Sequence, residues 1–123
     1  MVELETKFPK RDENSLRINV DYHGLAIEFW PEETGEVIGI WFPNQETAEN
    51  VCQLYQEYVE DREFKWALVD EEPLGESYLN WKQVDKGLTK IEYKRVGERY
   101  SAQLNDTELD NLFGTLRQYF SLK

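Results

Sequence analysis

Two stretches of this chain run through the same succession of elements at an offset of 62 or 63 residues, and that repeat constrains the fold more than any other feature. Val2 falls on Phe64, Leu4 on Trp66, Leu16 on Leu79 and Gly24 on Gly87. After a one-residue slip, Gly35 falls on Gly97, Glu46 on Glu108, Leu54 on Leu116 and Gln56 on Gln118. Identities are few. The shared order of strand, linker, strand, turn, strand, turn, strand, cap and helix is what identifies a duplication. One unit of about 60 residues barely buries a core alone, so the copies are expected to cover each other's apolar sheet faces and helices.

In the first unit, Val2, Leu4, Thr6 and Phe8 alternate with charged residues, the period-two mark of a strand. A polar linker, Pro9 to Ser15, leads to a second strand with Leu16, Ile18 and Val20 on one face. Tyr22-His23-Gly24 turns the chain into a third, where Leu25, Ile27 and Phe29 oppose Ala26, Glu28 and Trp30. The fourth sets Ile38, Ile40 and Phe42 against Val37, Gly39 and Trp41. Pro43 ends it, Asn44 can cap a helix, and Ala48, Val51, Cys52, Tyr55, Tyr58 and Val59 recur at helical spacing. Glu57, Glu60 and Asp61 oppose the dipole at that helix's end, which is expected to fray or to find basic partners.

The second unit repeats the pattern. Phe64, Trp66 and Leu68 alternate with Lys65, Ala67 and Val69, Glu71 to Ser77 reads as a second linker, and Asp85-Lys86-Gly87 as a turn. A hairpin follows, with strands from Leu88 to Arg95 and from Arg99 to Leu104. Asn105 and Glu108 have capping-box spacing ahead of a helix whose stripe is Leu109, Leu112, Phe113, Leu116 and Phe120. Gly114 interrupts that helix at about 1 kcal/mol relative to Ala, which predicts close packing against it. The reading is an α+β single domain: two tandem ββββα repeats, residues 1–62 and 63–123, with pseudo-twofold symmetry, antiparallel sheets and two packed helices.

Composition narrows the function classes. Six Phe, seven Tyr and four Trp argue for ordered sheet and against disorder. No apolar run approaches the roughly 20 residues of a membrane span, and MVELETKF lacks a signal peptide's apolar region. The single Cys52 excludes an internal disulfide, and a cytoplasmic setting is the simplest expectation. One His and one Cys cannot build a Cys/His zinc site. No phosphate-binding glycine loop or nucleophile elbow occurs, so no enzyme, metal or cofactor is expected. His23 reads as a turn residue, Cys52 as a buried thiol, and Asn105-Asp106-Thr107 as a helix cap despite matching a glycosylation sequon.

The formal net charge of −11 is unevenly spread. Residues 12–76 carry seventeen acids and three bases, whereas residues 77–123 carry six acids and eight bases. Global acidity disfavours broad binding to nucleic acid or anionic membrane, but a local basic face survives in the second half. With Leu79, Trp81, Ile91, Tyr93, Tyr100, Ala102 and Leu104 inward, the opposite face presents Tyr78, Lys82, Lys90, Lys94, Arg99 and Gln103, with Lys86 and Arg95 at its edges. Cations tracking phosphates beside a stacking aromatic are how sequence-tolerant single-strand binding works. The plain alternative is a solvated face on which Lys deters edge pairing. In the first half the outer face would carry Arg17, Asp21, Glu28, Trp30 and Trp41, and two outward Trp point to an intramolecular cover or a protein interface.

A ββββα unit ending in a strand, a short polar cap and a helix resembles the single-stranded-DNA-binding transcriptional coactivator family, and GERYSAQLNDTELDNLFGTL is the best local match. That family is a dimer of such units, and the Whirly proteins carry two in one chain. The resemblance implies a non-enzymatic protein whose β-surface holds single strands. Two functions stay open. The first is single-stranded nucleic-acid binding through Tyr78, Lys82, Lys86, Lys90, Lys94, Arg95 and Arg99. The second is an acidic protein-interaction module, such as an immunity, inhibitor or assembly protein, binding a partner or a second copy through the first half and Trp30 and Trp41.

Overall fold

The computed structural model describes residues 4–9, 11, 14–21, 24–30, 38–42, 45–72, 75–95 and 97–120. The first unit runs β1 (Leu4–Phe8), β2 (Ser15–Asp21), β3 (Gly24–Trp30), β4 (Ile38–Trp41) and α1 (Gln45–Asp61). The second runs β5 (Lys65–Glu72), β6 (Gly75–Asp85), β7 (Leu88–Arg95), β8 (Glu98–Asn105) and α2 (Asp106–Tyr119). Each unit is thus ββββα, and each sheet is an antiparallel meander in chain order, β1-β2-β3-β4 and β5-β6-β7-β8. The linker expected over Glu71–Ser77 is largely strand, because β5 and β6 keep pairing to Glu72 and Gly75 past a bulge near Asp70. Val2, Asn44 and His23 lie outside the described residues.

Alternation decides what each sheet buries. Pairing of Leu16 with Phe29, Ile18 with Ile27 and Val20 with Leu25 puts all six on one face, and all are buried. In the second sheet Leu79, Trp81, Ile91, Tyr93, Ala102 and Leu104 are buried, and Tyr100 is half-buried while stacking on Tyr93. Phe29 also stacks on Tyr93, at 6.5 Å, so the two repeats meet inside one hydrophobic cluster. Strand β8 contacts both β2 and β3.

The helices complete the seam. α1 belongs to the first repeat but packs on β5 and α2 of the second. The Tyr58 hydroxyl shares a buried 2.6 Å hydrogen bond with Thr89 Oγ1 on β7. Tyr55 stacks on Phe113 of α2 with ring centroids 4.2 Å apart. The polar stretch between β1 and β2 adds a second tie, as buried Asn14 donates from Nδ2 to the Ser101 carbonyl at 2.8 Å. Arg11 reaches both carboxylate oxygens of Glu108.

Local chemistry explains the helix ends. In the capping box Asn105 Oδ1 accepts from the Glu108 N–H at 2.8 Å, and Glu108 Oε1 accepts from the Asn105 N–H at 2.9 Å. The acidic end of α1 does find a basic partner: Lys65 Nζ lies 2.7 Å from Asp61 and holds that carboxyl below its ordinary value. Arg62 closes the helix in the left-handed region at φ 57°, its N–H donating to the Tyr58 carbonyl. Val59, expected on the apolar stripe, is exposed.

Gly114 reverses an expectation. A Cβ there meets nothing within 4 Å, so no close approach requires the glycine. Gly114→Ala is therefore expected to stabilise the protein by about 0.5–1 kcal/mol, read as a higher urea midpoint at unchanged slope. A fall in the midpoint would show that the helix needs glycine at this point.

Burial, with Asp110 nearby, pushes the Tyr55 hydroxyl up from 10.0 to about 12. A raised folded value means that the neutral phenol is favoured, so its stabilisation is complete below pH 10 and is lost as pH climbs toward 12. Between pH 9 and pH 11.5 the wild type should lose about 2 kcal/mol more than Tyr55→Phe, measured by denaturant unfolding. Equal losses would place the phenol in contact with water.

Candidate nucleic-acid interface

The outward face of the second sheet is ordered by its register. One row across the strands contains Leu68, Tyr78, Lys94 and Arg99, the next Trp66, Asn80, Glu92 and Ser101. Beyond them, Lys82 faces Lys90, and Lys90 faces Gln103. The two cationic pairs, Lys94 with Arg99 and Lys82 with Lys90, stand about 13 Å apart along the strands, with the Asn80–Glu92 row between them. Like charges directly opposite one another destabilise a sheet.

Five of the seven expected binding residues, Tyr78, Lys82, Lys90, Lys94 and Arg99, therefore share one face. The other two stand at its ends. Lys86 is exposed in the β6–β7 turn, where its N–H donates to Asp85 Oδ1 at 2.7 Å. Arg95 is tied across the hairpin to Glu98, which also accepts from the Tyr100 hydroxyl at 3.0 Å. Hydrogen bonds from Arg95 and Tyr100 hold the Glu98 carboxyl below its ordinary value, so Arg95 contributes little free positive charge.

Three features of this face are absent from the sequence reading. Trp66 and Phe64 are 56% and 53% exposed, although their alternation with Lys65 suggested an ordinary apolar strand face. The β5–β6 register pairs Trp66 with Asn80, which places the indole beside Tyr78 and leaves Ala67 and Val69 as the buried residues. The Trp66 and Tyr78 rings meet edge to face at 5.4 Å. Phe64, Trp66, Tyr78, Asn80 and Lys94 line an open groove of about 320 Å³. The third feature is Glu92, a carboxylate inside the cationic face. It lies 3.5 Å from Lys94 and 3.6 Å from Arg99, and accepts from Asn80 Nδ2 at 3.4 Å. A sequence signal existed: Ala67 and Val69 are themselves apolar at period two, so either face of β5 qualified as the buried one.

On the first sheet, Trp30 is half-buried and covered from within the chain. The Arg17 guanidinium lies 4.0 Å from the ring centroid while Arg17 Nε binds Glu28 at 2.7 Å. The side chain of Trp41 lies outside the described residues. Cys52 is buried, and burial pushes its thiol up. Among the described residues no group of three His, Cys, Asp or Glu side chains is placed to hold a metal, and no helix is long and apolar enough to cross a membrane.

No protein-family model matches the sequence, and neither the curated proteins nor the solved structures contain a match to it.

Proposed function

We propose that this is a non-enzymatic binding protein that holds single-stranded nucleic acid on the outward face of β5–β8. The observation that carries the reading is the juxtaposition of exposed Phe64 and Trp66 with Tyr78 and Lys94 in one groove, beside a second cationic pair. Exposed aromatics offer a π-face to any base, and cations on either side offer a path for the phosphates. An anion between Lys82 and Lys90 relieves their mutual repulsion. The open sheet face suits an unpaired strand, whose bases splay onto it, better than a duplex, whose bases are stacked within. The resemblance of the repeated ββββα unit to the coactivator and Whirly proteins supports the same reading.

The competing reading, an acidic protein-interaction module, draws on the exposed Glu46, Glu49, Glu57 and Glu60 of α1. It loses one of its anchors, since Arg17 already occupies the face of Trp30. Fluorescence anisotropy with labelled single- and double-stranded oligonucleotides over a salt series separates the two. Single strands should bind more tightly than duplex, weaken steeply with salt, and lose about tenfold or more in affinity with Lys90→Glu/Lys94→Glu. Absence of binding at low salt would remove this reading and leave the protein-interaction one.

A further inference from the structure

The face proposed to bind single strands contains a feature that phosphate binding does not require. Glu92 sits between Lys94 and Arg99 and lowers the positive potential that a purely electrostatic surface would maximise. It is 8% exposed and its cross-strand partner Asn80 is 6% exposed, although both project from the outward side of the sheet. Flanked by the longer Lys94 and Arg99 side chains, the amide and the carboxylate lie low on this face as its floor, with Glu92 adjoining the groove through Asn80 rather than lining it. Asn80 itself lines the groove beside Trp66.

The donors and acceptors on that floor are unevenly used. Lys94 and Arg99 stand at 3.5 and 3.6 Å from the carboxylate, longer than close charge-assisted bonds, and the Asn80 contact is 3.4 Å. A carboxylate offers about four lone-pair sites, and an amide nitrogen has two hydrogens, of which this contact uses one. The floor thus presents two adjacent acceptors beside one donor, next to an exposed ring on which a base can lie.

We infer that Asn80 and Glu92 read the edge of a base stacked at Trp66 and select guanine within a single strand. Guanine alone among the common bases sets two adjacent donors, N1–H and N2–H, beside an acceptor, O6. The donors meet the Glu92 carboxylate and O6 meets Asn80 Nδ2. Thymine and uracil flank their one N–H with two carbonyl oxygens, which the carboxylate repels. Adenine and cytosine each place a ring acceptor where the second donor is needed. Single-stranded bases present these edges freely, unlike bases in a duplex. The inference rests on the single-strand reading above and adds to it a base preference.

The test uses the full chain and fluorescein-labelled 15-mers of dT with one central dT replaced by dG, deoxyinosine, dA or dC. The dG strand is expected to bind about fivefold or more tightly than the deoxyinosine strand, which lacks only the N2 amino group, and more tightly than the rest. Glu92→Gln, with its fold checked by circular dichroism, should abolish the preference while tightening the all-dT strand, because a negative charge leaves the cationic face. Equal binding of dG and deoxyinosine strands overturns the guanine inference and leaves single-strand binding standing. So does a full preference retained in Glu92→Gln. Failure of every strand to bind overturns both.

Discussion

Phe113→Ala should cost the protein about 3–5 kcal/mol. The ring is 1% exposed, stacks on Tyr55 at 4.2 Å with planes 9° apart, and meets Trp81 at 5.3 Å. Its removal opens a cavity and ends two aromatic contacts, each worth about 0.5–1.5 kcal/mol beyond the area they bury. A domain with a total of about 5–15 kcal/mol then lies close to its unfolding limit. The melting temperature should drop by about 10–20 °C. Tyr55 belongs to the first repeat, while Phe113 and Trp81 belong to the second, so the substitution weakens the joint between the units. Far-UV circular dichroism and tryptophan fluorescence should still report one coincident transition, because the buried residues of both sheets belong to one hydrophobic cluster. Two separated transitions would mean that the repeats fold as independent bodies.

Trp66→Ala should act in the opposite way, with a large loss of binding and little loss of stability. The indole is 56% exposed, and substitutions at such positions usually change stability by no more than about 0.5 kcal/mol. Stacking of a base on an aromatic ring is worth about 1–3 kcal/mol, which corresponds to a loss of roughly 5- to 150-fold in affinity for a single-stranded oligonucleotide. Adding the oligonucleotide to the wild type should quench Trp66 fluorescence, whereas buried Trp81 should not respond. If affinity survives Trp66→Ala while Lys90→Glu/Lys94→Glu abolishes it, the strand is held by charge alone and the groove is not a stacking site.

These contrasts mark where the sequence was legible. Period-two alternation placed Ile18, Ile27, Leu79, Trp81 and Ile91 in the core, because each strand buries one face and the residues that do so are apolar. The Asn105–Glu108 capping box was legible because its chemistry lies within four residues of chain. The basic face was legible by alternation: Lys82, Lys90, Lys94 and Arg99 fall on one side as soon as the inward residues are known. Glu92 obeys the same alternation, yet its meaning depends on the cross-strand neighbours that bring Asn80, Lys94 and Arg99 around it.

The residues that were misread are those whose environment comes from distant parts of the chain. Gly114 was expected under a close contact, but open space lies over it, while Phe113 and Leu116 are the residues of this stretch that α2 buries. Val59 fits a helical stripe, but it is 41% exposed while its neighbour Tyr58 is fully buried. Trp30, by contrast, was left between an intramolecular cover and a protein interface, and the cation that lies over it comes from the neighbouring strand of the same chain.

By itself, the sequence determined the two ββββα units, their strand faces, the capped second helix and the charge difference between the halves. Each of these follows from local periodicity or nearby hydrogen bonding. Tertiary structure decided that α1 of one unit packs on β5 of the other, that Trp66 lies on the open face beside Tyr78, and that Glu92 and Asn80 form the floor between cations. The physical reason is register: a shift of one residue turns every side chain of a strand to the other face, and pairing between strands far apart in the chain selects which face that is.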